Sequence, residues 1–310
     1  MQIIFPDYYK EFKCINKECN HNCCIGWEID IDPNTASFYR NHDGVLKDKF
    51  RSCINWNDEP SFKLSHSERC PFLNDDNLCE IIMNLGEDAL CTICSEHPRF
   101  TNQLPNRNEI GLGLCCEAAG RLILGKKEPV KFINNGELDN YDDIIYLRDK
   151  LIIILQNREK SIQSRIEDML TACSCTMPQK SFDEYIDFLL SLERLDNKWD
   201  EILLYFKNNI RNADFKAFDL HMMERETEYE QLLVYFIYRH FANAPELIYT
   251  SERALFAAFA YKILYSIGAV IFTKTKEFSF DSQVEIARMF SSEIEYSDEN
   301  LYLIFDFLTD

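Results

Sequence analysis

Eleven of the 13 cysteines in this 310-residue chain fall between Cys14 and Cys116, and that crowding decides how its first third can fold. Thiols at such density are taken up either in disulfides or as metal ligands. Disulfides need an oxidising compartment and usually an even number of cysteines. The chain opens Met1-Gln2-Ile3-Ile4-Phe5-Pro6-Asp7, with no basic stretch ahead of an apolar run, so no secretory signal is expected and the compartment is expected to be the reducing cytoplasm. The cysteine count is odd. Metal ligation is therefore the expected use of these thiols.

Their spacing sharpens the expectation. Cys14-(x4)-Cys19-(x3)-Cys23-Cys24 occupies one short segment. A thiolate binds its metal at about 2.3 Å, and ligands two to four residues apart on a tight loop converge at little cost. Adjacent cysteines fit poorly around one ion and better on a polynuclear cluster or on two neighbouring sites. A second group follows with Cys70, Cys79, Cys94 and Cys115. These eight are read as metal ligands. Cys53, Cys91, Cys116, Cys173 and Cys175 are read as small buried hydrophobes, which free cysteine often is.

Charge excludes some partners. With 33 Lys+Arg against 52 Asp+Glu the net charge is −19, whereas nucleic-acid binding needs a basic footprint. No nucleic acid is expected. Ala254–Thr273 is apolar enough to raise the question of a membrane span, but Lys262 lies near its middle, where an unpaired ammonium would cost about 3 kcal/mol. A buried core helix is expected there, and no membrane insertion.

The motifs around the cysteines resemble a known family. The opening group resembles an eight-cysteine zinc- or iron-chelating domain that begins C-x2-C-x2-CC, here stretched to x4 and x3. More specifically, Phe12-Lys13-Cys14, Cys23-Cys24-Ile25-Gly26-Trp27-Glu28-Ile29-Asp30 and Cys70-Pro71-Phe72-Leu73 are similar to flagellin lysine-N-methylase. So are Leu78-Cys79, Leu85-Gly86-Glu87, Cys94-x-x-His97-Pro98-Arg99 and Cys115-x-Glu117-Ala118-Ala119-x-Arg121. The family's last motif usually reads Cys-Pro-Glu, and Cys116 stands here at the proline. The likeness is strong over residues 12–124 and thinner beyond, where Tyr229-Glu230 and Tyr235-x3-Arg239-His240-Phe241 carry it. The resemblance implies methyl transfer from S-adenosylmethionine to lysine ε-amines of flagellin by an enzyme holding a four-iron cluster (4Fe-4S), with zinc as the alternative metal.

The remainder reads as helix, so the fold class expected is mostly α: a loop-rich cysteine domain with short helices over 1–125, then an all-helical domain over 137–310. Ser181-Phe182-Asp183-Glu184 is a capping box ahead of apolar residues at helical spacing. Further apolar faces recur near Ile144–Leu155, Trp199–Ile210, Tyr229–Phe241, Leu255–Phe272, Val284–Phe290 and Leu301–Leu308. Breakers around Gly125–Gly136 mark the link. Gly111-x-Gly113 is a weak nucleotide fingerprint, so the cofactor site is unassigned. Lysine has a pKa of about 10.4, so a methylase must desolvate it or take its proton. Asp30, Asp32, Glu87, Glu117 and His97 are the candidate groups, with Trp27 and Arg99 as pocket or packing residues. A non-catalytic metal-binding module with a helical partner platform, and a structural zinc protein, are the alternatives from other classes.

Overall fold

The computed structural model describes residues 2–134 and 142–310. It is mostly α, with a loop-rich cysteine-bearing part, as expected. The compact units divide at places other than the expected link: the smaller is residues 13–100, and the larger is residues 1–12 with 101–310. The reason is a four-stranded sheet. The strand Gln2–Pro6 runs parallel to Arg107–Leu112 and antiparallel to Phe132–Asn134, with Gln2 opposite Arg107 and Phe5 opposite Ile133. Arg99–Leu104 completes the sheet beside Arg107–Leu112. The pairing draws the first residues, and residues 132–134 of the expected link, into the larger unit; Asn135 and Gly136 lie outside the described residues.

The smaller unit is built on short helices, Pro33–Asn41, Lys47–Cys53, Glu80–Leu85 and Thr92–Glu96, with a two-residue antiparallel pairing of Ile54–Asn55 and Ser61–Phe62. Its core is aromatic. Tyr39 stacks on Phe50 at 4.1 Å between ring centroids, and Phe72 meets Phe50 and Phe62 at 5.2 and 5.1 Å. Cys70 and Cys91 are buried in this same core. Small units with few regular elements are commonly completed by metal.

In the larger unit the expected helices form: Asp143–Leu155, Phe182–Ser191, Asn197–Asn209, Glu226–His240, Thr250–Thr275, Phe280–Phe290 and Asp298–Thr309, together with Glu117–Gly125, Ile162–Ala172 and Phe215–Met222. The capping box closes: the Ser181 hydroxyl accepts from the Glu184 backbone N–H at 3.2 Å, and the Glu184 carboxylate accepts from the Ser181 N–H at 2.7 Å. Among the described residues one helical stretch, Leu247–Thr275, is long and apolar enough to cross a membrane, but 78% of its most apolar window is buried inside the protein. It is a core helix. Lys262 leaves that core by lying over the rings of Tyr185 and Phe182, at 4.8 and 5.3 Å.

Candidate functional site

Backbone hydrogen bonds in the smaller unit bring separate cysteine segments together. The Cys70 N–H donates to the Cys24 carbonyl at 2.8 Å, and the Gly26 N–H donates to the Glu68 carbonyl at 3.0 Å. Gly26 has φ +95°, a left-handed conformation that glycine adopts freely, so it can turn the chain directly after the cysteine pair. Leu73 and Cys79 form an antiparallel bridge, and Cys79 stands at the N-cap of Glu80–Leu85. Cys91 is likewise the N-cap of Thr92–Glu96, which carries Cys94. At Cys79 burial outweighs the N–H groups of Ile82 and Ile81 and raises the thiol pKa.

Six thiols act on one another here. Cys23 and Cys24 are hydrogen-bonded to each other, as are Cys91 and Cys94. In each pair the shared hydrogen bond holds one pKa down, at Cys23 and Cys91, and pushes the other up, at Cys24 and Cys94. The Cys24 thiol is further raised by Cys70 and Cys79, and that of Cys94 by Cys24 and Cys70. Burial first, and then Cys79 and Cys91, push Cys70 up to about 11, against the N–H groups of Phe72 and Leu73. Crowded thiolates repel, and a cationic centre removes that cost.

Five of the six were read as ligands from the sequence. The sixth, Cys91, was read as a core hydrophobe. It is fully buried in the core, and its thiol also joins the group. Its C-x-x-C spacing to Cys94 was the available signal. Cys14 and Cys19 flank a 3-10 turn, Asn16–Glu18, where the Cys14 sulfur accepts from the Asn16 N–H at 3.4 Å and the Cys19 thiol donates to the His21 carbonyl at 3.1 Å. Cys115 belongs to the larger unit.

Among the described residues, no three His, Cys, Asp or Glu side chains are arranged to hold one metal ion. The donor set is nevertheless soft and thiol-rich, the kind that selects iron–sulfur or zinc. A polynuclear cluster gives each thiolate its own metal atom and so tolerates wider sulfur spacing than a single ion does. The residues fit such a cluster in chemistry.

The candidate acid–base groups are mostly engaged. Asp32 accepts from the backbone N–H groups of Thr35 and Thr92, each at 3.0 Å, so it caps two helices. Burial pushes its carboxyl up, and those hydrogen bonds together outweigh it and hold the group down at about 2. Glu117 is buried and ion-paired with Arg121 at 3.1 Å. Asp30 bridges Ser61 through its backbone. Glu87 sits in the short turn Glu87–Ala89. Burial lowers His97 to about 4, which keeps its imidazole neutral, and its ring lies 6.0 Å from that of Trp27. The Trp27 indole N–H donates to the Cys23 carbonyl, and Arg99 donates to the Ser95 carbonyl at 3.2 Å.

Cys115 meets a different environment in the larger unit. Burial pushes its thiol up to about 12, against a hydrogen bond from the Tyr296 phenol and the charge of Arg239. Behind it the Tyr235 hydroxyl donates to Glu295 at 2.9 Å and accepts from Arg239 at 2.6 Å and from the Leu114 N–H at 3.1 Å. His240 Nε2 lies 2.6 Å from the same carboxylate. A π-helical turn, Ser291–Glu295, delivers Glu295 to this network. No sequence signal marked that turn.

A family model for the FliB lysine N-methylase C-terminal domain matches residues 112–310. The flagellar biosynthetic protein FliU of Salmonella muenchen is 30% identical over 129 residues, 38% of this chain and 75% of that protein. The lysine-N-methylases of Salmonella typhimurium and Salmonella choleraesuis are each 30% identical over 132 residues, 38% of this chain. The match spans 31% of the length of those two enzymes. No solved structure matches. The smaller unit, residues 13–100, lies outside the matched family domain.

Proposed function

The chain belongs to the FliB lysine N-methylase family, and from that premise we propose that it transfers methyl groups from S-adenosylmethionine to lysine ε-amines of flagellin, with an iron–sulfur cluster held by its smaller unit. The match of the family domain over residues 112–310 carries this reading of the reaction, and the names of the relatives, lysine-N-methylase and flagellar biosynthetic protein, point to the same substrate system. The cytoplasm, where thiols stay reduced, is the compartment that fits.

In the reaction a lysine nitrogen forms a bond to the sulfonium methyl carbon as the carbon–sulfur bond breaks, and S-adenosylhomocysteine leaves. The ammonium proton must go first, since only about one lysine in a thousand is neutral near pH 7. Cys23, Cys24, Cys70, Cys79, Cys91 and Cys94 are the thiols that influence one another's charge and would hold the cluster. Cys14, Cys19 and Cys115 complete the ligands read from the sequence. A cubane cluster uses four thiolates, so this set exceeds one cluster's needs. When bound, the cluster supplies positive charge to crowded thiolates and ties a loop-rich unit together.

Anaerobic purification followed by iron, zinc and acid-labile sulfide analysis tests the metal. Brown protein with matching iron and sulfide is expected; stoichiometric zinc without sulfide would replace the cluster by a structural zinc site. Transfer of labelled methyl from S-adenosylmethionine to flagellin, with the modified lysines located by mass spectrometry, tests the reaction. No transfer to any flagellin by metal-loaded protein would leave a metal-binding module without catalysis.

A further inference from the structure

Arginines of the larger unit hold carboxylates. Arg165 pairs with Glu230 at 2.8 Å, Arg225 with Glu228 at 2.7 Å and Arg239 with Glu295 at 3.4 Å, and Arg148 pairs with Glu109. Arg107, Arg121, Arg158, Arg194, Arg211 and Arg288 are ion-paired as well. Arg253, in the first turn of Thr250–Thr275, departs from this pattern. It is half-buried, and among the described residues it has neither a hydrogen bond nor an ion pair. Burial pulls its pKa down, against the charge of Glu252, with which it forms no ion pair. Asp306 acts in turn on Glu252.

The guanidinium is nevertheless held in place. Its central carbon lies 3.5 Å from the centroid of the Phe305 ring, from Asp298–Thr309, so Phe305 covers one of its faces. Nε is sealed from solvent without a partner. The two terminal nitrogens are left for a partner, and they form a fork that matches the two oxygens of a carboxylate.

Directly ahead of Arg253 the short turn Leu247–Tyr249 holds three apolar side chains in water, at 49%, 75% and 42% exposure. Hydrogen bonds fix the turn: the Thr250 hydroxyl donates to the Leu247 carbonyl at 2.7 Å, and the Tyr249 N–H donates to the Glu246 carbonyl at 3.1 Å. Tyr249 precedes Arg253 by one helical turn, on the same side of the helix. Exposed aromatic and aliphatic side chains beside a partly desolvated arginine are the composition of a protein-binding surface.

We propose that Leu247–Tyr249 and Arg253 dock the protein that this chain methylates, with Arg253 taking a carboxylate of that protein and Leu247, Ile248 and Tyr249 taking an apolar side chain beside it. Charge selects this occupant. In a chain of net charge −19, a partner's carboxylate meets attraction where a cation is left unpaired, and Arg253 is such a cation. The proposal rests on the reading that flagellin is the substrate; it assigns docking and no catalytic step.

The test is the binding of fluorescently labelled monomeric flagellin to the whole metal-loaded protein, read by anisotropy. Saturable binding is expected. Arg253→Gln should weaken it about tenfold, since a charged bidentate partner is lost. Arg253→Lys should recover only part, because it keeps the charge without the fork. Ile248→Ser changes a side chain already in water, so it should weaken binding about threefold with the melting temperature unchanged. Unchanged affinity in Arg253→Gln and in Ile248→Ser overturns the surface. So does a protein that self-associates by light scattering and becomes monomeric in Arg253→Gln, which would make a second copy the occupant. Methyl transfer measured in parallel separates the two readings. Transfer with equal flagellin binding in all variants removes this surface and keeps the reaction. Arg253-dependent binding without transfer keeps the surface and removes the reaction, and flagellin that is neither bound nor methylated removes both.

Discussion

Cys91 shows how one side chain can satisfy two demands. It is fully buried in the core that holds Ile29, Tyr39 and Phe50, and Cys94 holds its thiol pKa down. Sequence spacing contained the pair, but cysteine's apolar character favoured a core reading, and only the fold shows that this core is where the thiols meet. Cys91→Ala removes the thiol and little volume, costing about 1 kcal/mol of packing. Iron bound per chain should nevertheless fall as far as in Cys23→Ser, whereas Cys173→Ala should retain full iron; metal analysis decides. Asp32 was read as a candidate acid–base carboxylate, and in the structure it accepts from the first-turn N–H groups of two helices. Asp32→Ala should destabilise the smaller unit by about 1 kcal/mol, read by thermal unfolding, while Asp32→Asn should lose little because asparagine also caps. Its folded pKa of about 2 lies below the unfolded value of about 3.9. The ionised carboxylate's added stability is therefore present above pH ~4 and lost as pH falls towards 2. Asp32→Asn should lack that dependence.

Helices were legible because their signals are local: Ser181 and Glu184 are three residues apart, and the apolar faces recur within each segment. The sheet was not legible. Its register sets Gln2 against Arg107 and Ile4 against Asn134, and no short-range pattern encodes such pairing. Close helix packing was equally hidden. Gly268 sits within Thr250–Thr275 where an added Cβ would lie 2.8 Å from a ring atom of Phe218 and 3.0 Å from one of Phe278. Alanine normally gains up to about 1 kcal/mol over glycine inside a helix. At this position two ring displacements should outweigh that gain, since overpacking costs about 1–3 kcal/mol. Gly268→Ala should lower the melting temperature, and a rise would mean that the rings move freely.

Across the whole molecule, the cysteine unit depends on residues far apart in sequence, whereas most of the helical content lies in residues 101–310. Stripping metal should unfold the smaller unit and leave most far-ultraviolet helicity in place. Loss of all helicity on chelation would show a single cooperative unit. The order of synthesis adds a consequence of the split larger unit. Gln2–Pro6 leaves the ribosome before both of its partner strands, which end at Leu112 and Asn134. At about 5–20 residues per second, that first strand waits roughly 6 to 25 s before it can pair on both sides. Every cysteine of residues 13–100 has been made by then, so all the thiols of the smaller unit are available, for the cluster proposed above, before that sheet can close.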